Sequence, residues 1–117
     1  MEFEIVQDPA EFLERAGPLL VDEARHNLML GICGTLLRSP EVYPEYDLFL
    51  VVGDDGPAAA AMMTRPYNLL LADTDDDGAL AELAAGLIGA EVTVPGMIGN
   101  RPTIERFREL WVEVTGT

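Results

Sequence analysis

Lysine is absent from this chain. All seven basic residues are arginine, set against 21 carboxylates and one histidine, and the formal net charge is −14. A surface of that sign repels nucleic-acid phosphates and anionic lipid headgroups, so neither nucleic acid nor a membrane surface is an expected partner. Cysteine is nearly absent as well: Cys33 stands alone, which excludes an internal disulfide. It sits within the apolar run Leu28, Met29, Leu30, Ile32, Leu36 and Leu37, where a lone thiol behaves as a small buried hydrophobe. As a nucleophile it would need a basic helper, and only His26 is present. Seven helical residues separate the two by ~10 Å, too far for a hydrogen bond. Long apolar runs are missing too: none approaches the ~20 residues that cross a bilayer. The start Met1-Glu2-Phe3-Glu4 lacks the basic lead of a signal peptide, so a soluble, cytoplasmic chain is the expectation.

What is present is enough apolar material for a core. Of 117 residues, 49% are hydrophobic, which suits one domain over residues 1–117 that folds without staples. Residues 2–7 carry Phe3, Ile5 and Val6 and predict a strand. Asp8 then caps a helix, with Pro9 in the first position, where its missing N–H is not needed. Residues 10–24 carry a helical stripe of Phe12, Leu13, Ala16, Leu19, Leu20 and Ala24, interrupted at Gly17-Pro18. A kink or two short helices follow from that interruption. A second helix over residues 27–37 ends before Ser39-Pro40, and residues 41–46 read as a loop.

The run 47–53 is apolar throughout, the pattern of a strand buried on both faces. Asp54-Asp55-Gly56 turns the chain, and residues 57–64 return as the second strand of a hairpin. The alanine tract 58–61 also suits a helix, but a run of eight between two turn signals favours a strand. Residues 68–71 form a third short strand, 73–77 an acidic turn, and 78–88 a helix with Leu80, Leu83, Ala84, Leu87 and Ile88 on one face. Residues 91–94 read as a strand or an extended link. Turns at Pro95-Gly96 and Gly99-Asn100 lead to a last helix over 102–114, striped by Ile104, Phe107, Leu110, Trp111 and Val114. The order β-α-α-β-β-β-α-(β)-α predicts an α/β chain of the α+β kind with a mainly antiparallel sheet.

The acidic turn matches half of an EF-hand calcium loop. Asp73, Asp75 and Asp77 fall at positions one, three and five, Gly78 at six and Leu80 at eight. Position twelve, which needs a bidentate glutamate, is Ala84. The plainer reading is an acidic helix N-terminus, with Asp77 as the cap and its neighbours favoured by the helix dipole.

The element order and several local runs resemble the GNAT (N-acetyltransferase) superfamily. In that fold a first strand and two helices precede an antiparallel meander, and a helix then follows. The run Glu23-Ala24-Arg25-His26-Asn27-Leu28-Met29-Leu30-Gly31 is similar to the second helix of one subgroup, in which a GNAT-like N-terminal half is fused to a catalytic C-terminal half. So are Leu48-Phe49-Leu50-Val51-Val52, Met63-Thr64, Arg65-Pro66-Tyr67-Asn68-Leu69, Val94-Pro95-Gly96-Met97-Ile98-Gly99 and the segment from Phe107 to Trp111. The resemblance spans nearly the whole chain but only the first half of the family protein. It implies acetyl-CoA as the cofactor of the complete protein.

A working GNAT domain holds the acetyl-CoA pyrophosphate at a strand-to-helix turn of the type Gln/Arg-x-x-Gly-x-Gly/Ala, where glycines let backbone N–H groups reach the phosphates. That turn is missing here. Its place holds Asp73, Asp75, Asp76 and Asp77. Each carboxylate at ~6 Å from a phosphate charge costs about 2–3 kcal/mol at an effective dielectric near 20. The expectation is a chain that binds no cofactor and carries no catalytic residue.

The family also directs attention to an acceptor site. Glu23, Asn27 and Gly31 share one helix face, so Glu23 or His26 fits an acid/base group in an acceptor-amine pocket, with Asn27 beside them. Arg65 fits a carboxylate clamp. The plainer readings are an exposed helical histidine, an Asn27 that caps a kink, and a surface arginine in a turn. They are preferred because no second catalytic group accompanies His26. The tyrosine that serves family members as general acid lies in the part of the fold beyond this resemblance, so Tyr43, Tyr46 and Tyr67 inherit no role.

Two functions of different class follow. The chain is the N-terminal half of a longer two-domain acetyltransferase and supports the acceptor site of a catalytic C-terminal half. Alternatively, it is a standalone, non-catalytic module that pairs with a second copy of itself. A free-standing acyltransferase with an unorthodox cofactor site is a third, weaker possibility.

Overall fold

The doubly buried strand expected at residues 47–53 is the spine of the molecule. In the computed structural model, which describes residues 1–65 and 67–116, it is β2 (Tyr46–Gly53). Pro66 of the Arg65-Pro66-Tyr67 run and Thr117 lie outside the described residues. On one side β2 pairs antiparallel with β1 (Glu2–Val6), and on the other with β3 (Gly56–Thr64). The hairpin closes over Asp54 and Asp55 at the Gly53–Gly56 pair, and Gly56 takes φ +116°, a conformation that suits glycine. β4 (Leu69–Leu71) adds antiparallel to β3. Among the described residues the sheet has five strands in the order β1-β2-β3-β4-β5 and is accompanied by four α-helices, an α+β architecture.

Alternate residues of β2 explain its composition. Leu48 and Leu50 face α1 (Pro9–Ala16) and α2 (Glu23–Arg38), where Phe12, Met29, Cys33 and Leu36 complete one core layer. Phe49 and Val51 face α3 (Asp77–Gly89) and α4 (Arg101–Thr115), where Leu83, Leu87 and Phe107 complete the other. A sheet covered on both faces needs apolar residues at every position, so the alternation of a half-exposed strand is absent. The alanine tract belongs to β3 and divides in the same way, Ala60 to the first layer and Ala59 and Ala61 to the second.

The interruption expected at Gly17-Pro18 is present: the first helix stops at Ala16 and passes into a 3₁₀ turn over Gly17–Leu19. Four details differ from the sequence reading. The next helix starts earlier than residue 27: the Asp22 side chain accepts from the Arg25 N–H (3.3 Å) and opens α2 at Glu23. The last strand is β5 (Met97–Ile98), pairing parallel with β4, whereas residues 91–94 form an extended link. α3 is capped by Asp76, whose carboxylate accepts from the Ala79 N–H (3.0 Å), and not by Asp77. His26 is buried rather than exposed, at 5% accessibility, and has non-helical φ/ψ (−119°, 15°), so the kink lies at this residue. No helix among the described residues is long and apolar enough to cross a membrane.

Candidate functional site

The acidic turn between β4 and α3 is the meeting point of α2, β3, α3 and α4. His26 reaches it from the kink in α2. Its Nε2 accepts from the Asp73 N–H (2.9 Å), so the ring proton sits on Nδ1, 2.9 Å from the Asp22 carbonyl oxygen that accepts it. The Asp73 carboxylate accepts from the Thr103 hydroxyl (2.6 Å) and from Arg25 Nη1 (2.7 Å). The Thr103 hydroxyl, with Arg25 second, holds the Asp73 carboxyl below the usual carboxylate range. Thr103 also accepts from the Thr74 N–H (3.2 Å). Thr74 donates its hydroxyl to the Ala58 carbonyl of β3 (3.1 Å) and accepts from the Asp76 N–H (3.2 Å). Asp77 turns outward to Arg106 of α4, with Nε 2.9 Å from its carboxylate.

The backbone N–H groups of Asp73, Thr74, Asp76 and Ala79 therefore all donate to side chains of this same network. A pyrophosphate cradle needs such groups free and pointing at the ligand. Here those four amides are bonded within the turn, the N–H groups of Asp75, Asp77 and Gly78 have no hydrogen-bond partner among the described residues, and carboxylates surround them all. The chemistry open to this turn is structural: it ties two helices on opposite faces of the sheet to the end of one strand.

The other sequence candidates are dispersed. Glu23 and Asn27 are exposed on α2, next to the kink, whereas the His26 ring is buried. Arg65 precedes β4, whereas Asp73 and the His26 contact follow it, so the arginine lies at the other end of that strand; its guanidinium pairs with Asp47 of β2. The three aspartates of the calcium reading part company. Asp73 turns inward to Thr103 and Arg25, Asp77 reaches Arg106, and Asp75 is exposed. Among the described residues no group of three His, Cys, Asp or Glu side chains is arranged to hold a metal ion. Cys33 is fully buried, and burial pushes its thiol up to about 11, far from a reactive thiolate at neutral pH.

A feature that the sequence did not announce is a groove of about 570 Å³ at the start of β4, on the α3 face of the sheet. Met63 forms its buried floor, and Glu45, Arg65, Tyr67, Glu91 and Pro95 stand around it. Its signal in the sequence is faint. The helix ends at Gly89, the chain turns at Ala90-Glu91, and Glu91 adopts φ 58°, a left-handed conformation normally given to glycine. Compared with protein-family models, curated proteins and solved structures, the chain matches none.

Proposed function

We propose that the chain is the N-terminal, cofactor-site-lacking half of a two-part GNAT-type N-acetyltransferase, in which it supports the acceptor site of a catalytic C-terminal half. The observation that carries this reading is the turn into α3, where the amides of Asp73, Thr74, Asp76 and Ala79 are already bonded and four aspartates stand where glycines would cradle a pyrophosphate. The element order supports it too: a strand, two helices, an antiparallel meander and a helix leading to a further strand. Acetyl-CoA then belongs to the partner half, in the cytoplasm. Exposed Glu23 and Asn27 are presented from α2 toward that partner, while His26 holds the α2 kink against the turn.

Reading the gene past the Thr117 codon tests this directly. An in-frame acyltransferase segment is expected, and the complete product is expected to release coenzyme A from acetyl-CoA in the presence of an amine. A stop codon at that point, with no acyltransferase segment, overturns it.

A self-pairing, non-catalytic module is the second reading. One observation favours it: an apolar groove of about 220 Å³ beside the β4–β5 edge, lined by Leu28, Ile32, Tyr43, Leu70 and Ile98, with Leu28 51% exposed. Light scattering that gives a dimer mass would support pairing, and a monomer at ~0.5 mM would contradict it.

A further inference from the structure

The groove at the start of β4 has no part in the turn described above, since it lies at the opposite end of that strand. Its walls are chemically uneven. The floor, Met63, is 2% exposed, and Tyr67 stands 62% exposed at the rim. The one cation, Arg65, is neutralised by Asp47. Glu45 and Glu91 make no ion pair with any described arginine. An apolar floor, an exposed aromatic ring and two uncompensated carboxylates together form the surroundings that an organic cation prefers.

The frame beneath these side chains is fixed. The Glu45 carbonyl accepts from the Arg65 N–H (3.0 Å), which extends the β2–β3 ladder by one step. The Tyr67 N–H donates to the Thr64 carbonyl (2.8 Å). Around Glu91, the Ala90, Glu91 and Val92 N–H groups donate to Gly86, Ile88 and Leu87 (2.9, 3.0 and 3.0 Å). Pro95 is held by its neighbour Gly96, whose carbonyl accepts from the Leu69 N–H (2.9 Å). A Cβ at Gly96 would lie 2.9 Å from Asn68 Oδ1, so the Asn68 side chain would have to shift to admit one. The polar side chains are thus free in solvent while the backbone that aims them is pre-set, which lowers the entropy lost on binding.

We propose that this groove binds an organic cation, an ammonium or guanidinium group on a short apolar stem, with the charge between Glu45 and Glu91 and the stem on Met63 and Tyr67. A free amine and a basic side chain of a polypeptide share this chemistry. The proposal does not depend on the half-enzyme reading, because it uses none of the residues of the β4–α3 turn.

Phenethylamine titrated into the isotopically labelled 117-residue chain tests it by amide chemical shifts. Saturable shifts confined to Glu45, Tyr67, Glu91 and their neighbours are expected. The double variant Glu45→Gln/Glu91→Gln is expected to weaken binding at least tenfold. Removing two carboxylates elsewhere, as Glu14→Gln/Glu113→Gln, controls for net charge and is expected to change binding less than twofold. A blocked lysine–alanine pentapeptide binding tenfold more tightly than the amine assigns the polypeptide source, and equal or weaker binding assigns the free amine. Equal shifts with neutral 2-phenylethanol, non-saturating shifts over the whole surface, or equal losses in the two double variants overturn the proposal.

Discussion

Single residues carry strains and close approaches that decide local stability. Gly86 lies in the last turn of α3 directly beneath the Phe3 ring, and an added Cβ would come within 2.2 Å of Phe3 Cγ. Phe3 in turn stacks on Phe49 of β2 at 5.9 Å, so it has little freedom to retreat. Gly86→Ala is expected to destabilise the chain by about 1–3 kcal/mol in urea unfolding, even though alanine is the better helix former. Unchanged stability would show that Phe3 moves aside. Glu91 is the opposite case: at φ 58° a glycine relieves strain, so Glu91→Gly is expected to raise stability by about 0.5–1 kcal/mol.

Cys33 supplies a pH test at the same scale. Burial raises its thiol to about 11 in the folded chain, whereas an unfolded thiol titrates near 8.5–9. A raised acid pKa means that stability is full below the unfolded value and falls as pH climbs toward the folded one. A loss of about 2–3 kcal/mol is therefore expected between pH 9 and 11, and Cys33→Ala is expected to lack it. Rapid reaction of the native thiol with a disulfide reagent at pH 7.5 would contradict its burial.

At the scale of elements, the β4–α3 turn acts as a clasp. Thr103→Val removes the hydroxyl that Asp73 and the Thr74 N–H both use, and is expected to cost about 1–3 kcal/mol. Because the folded Asp73 carboxyl is lowered, its contribution is present above the unfolded carboxylate range and is lost as pH falls through the folded value. Acid unfolding of the variant is accordingly expected to be less steep than that of the wild-type chain. The same pH dependence in both would remove Thr103 from the account of Asp73.

Much of this level was legible in the sequence. Asp8-Pro9 marks the start of α1, and the apolar run of β2 announced burial on both faces. What was not legible depends on partners far away in the chain. His26 is buried by a turn 47 residues later, which no helical periodicity can signal. Asp76, not Asp77, caps α3, because four aspartates within five positions offer several equivalent caps to local reasoning. β5 has only two residues, too few for any alternation to show.

For the whole molecule, the −14 charge and the absence of lysine state what the surface repels, but they do not locate a site. Location came from the packing: the clasp after β4 and the groove before it lie at opposite ends of one short strand. The candidate residues that the resemblance brought forward divide between these ends, His26 with the clasp and Arg65 with the groove. The clasp is central to the proposed function, which expects this chain to bind no acetyl-CoA. Calorimetric titration of the 117-residue chain with acetyl-CoA tests that expectation most directly. No saturable heat up to ~1 mM is expected, a Kd weaker than about −4 kcal/mol of binding free energy. One-to-one binding in the micromolar range, accompanied by shifts of the Asp73, Thr74, Asp76 and Ala79 amides, would contradict the proposed function.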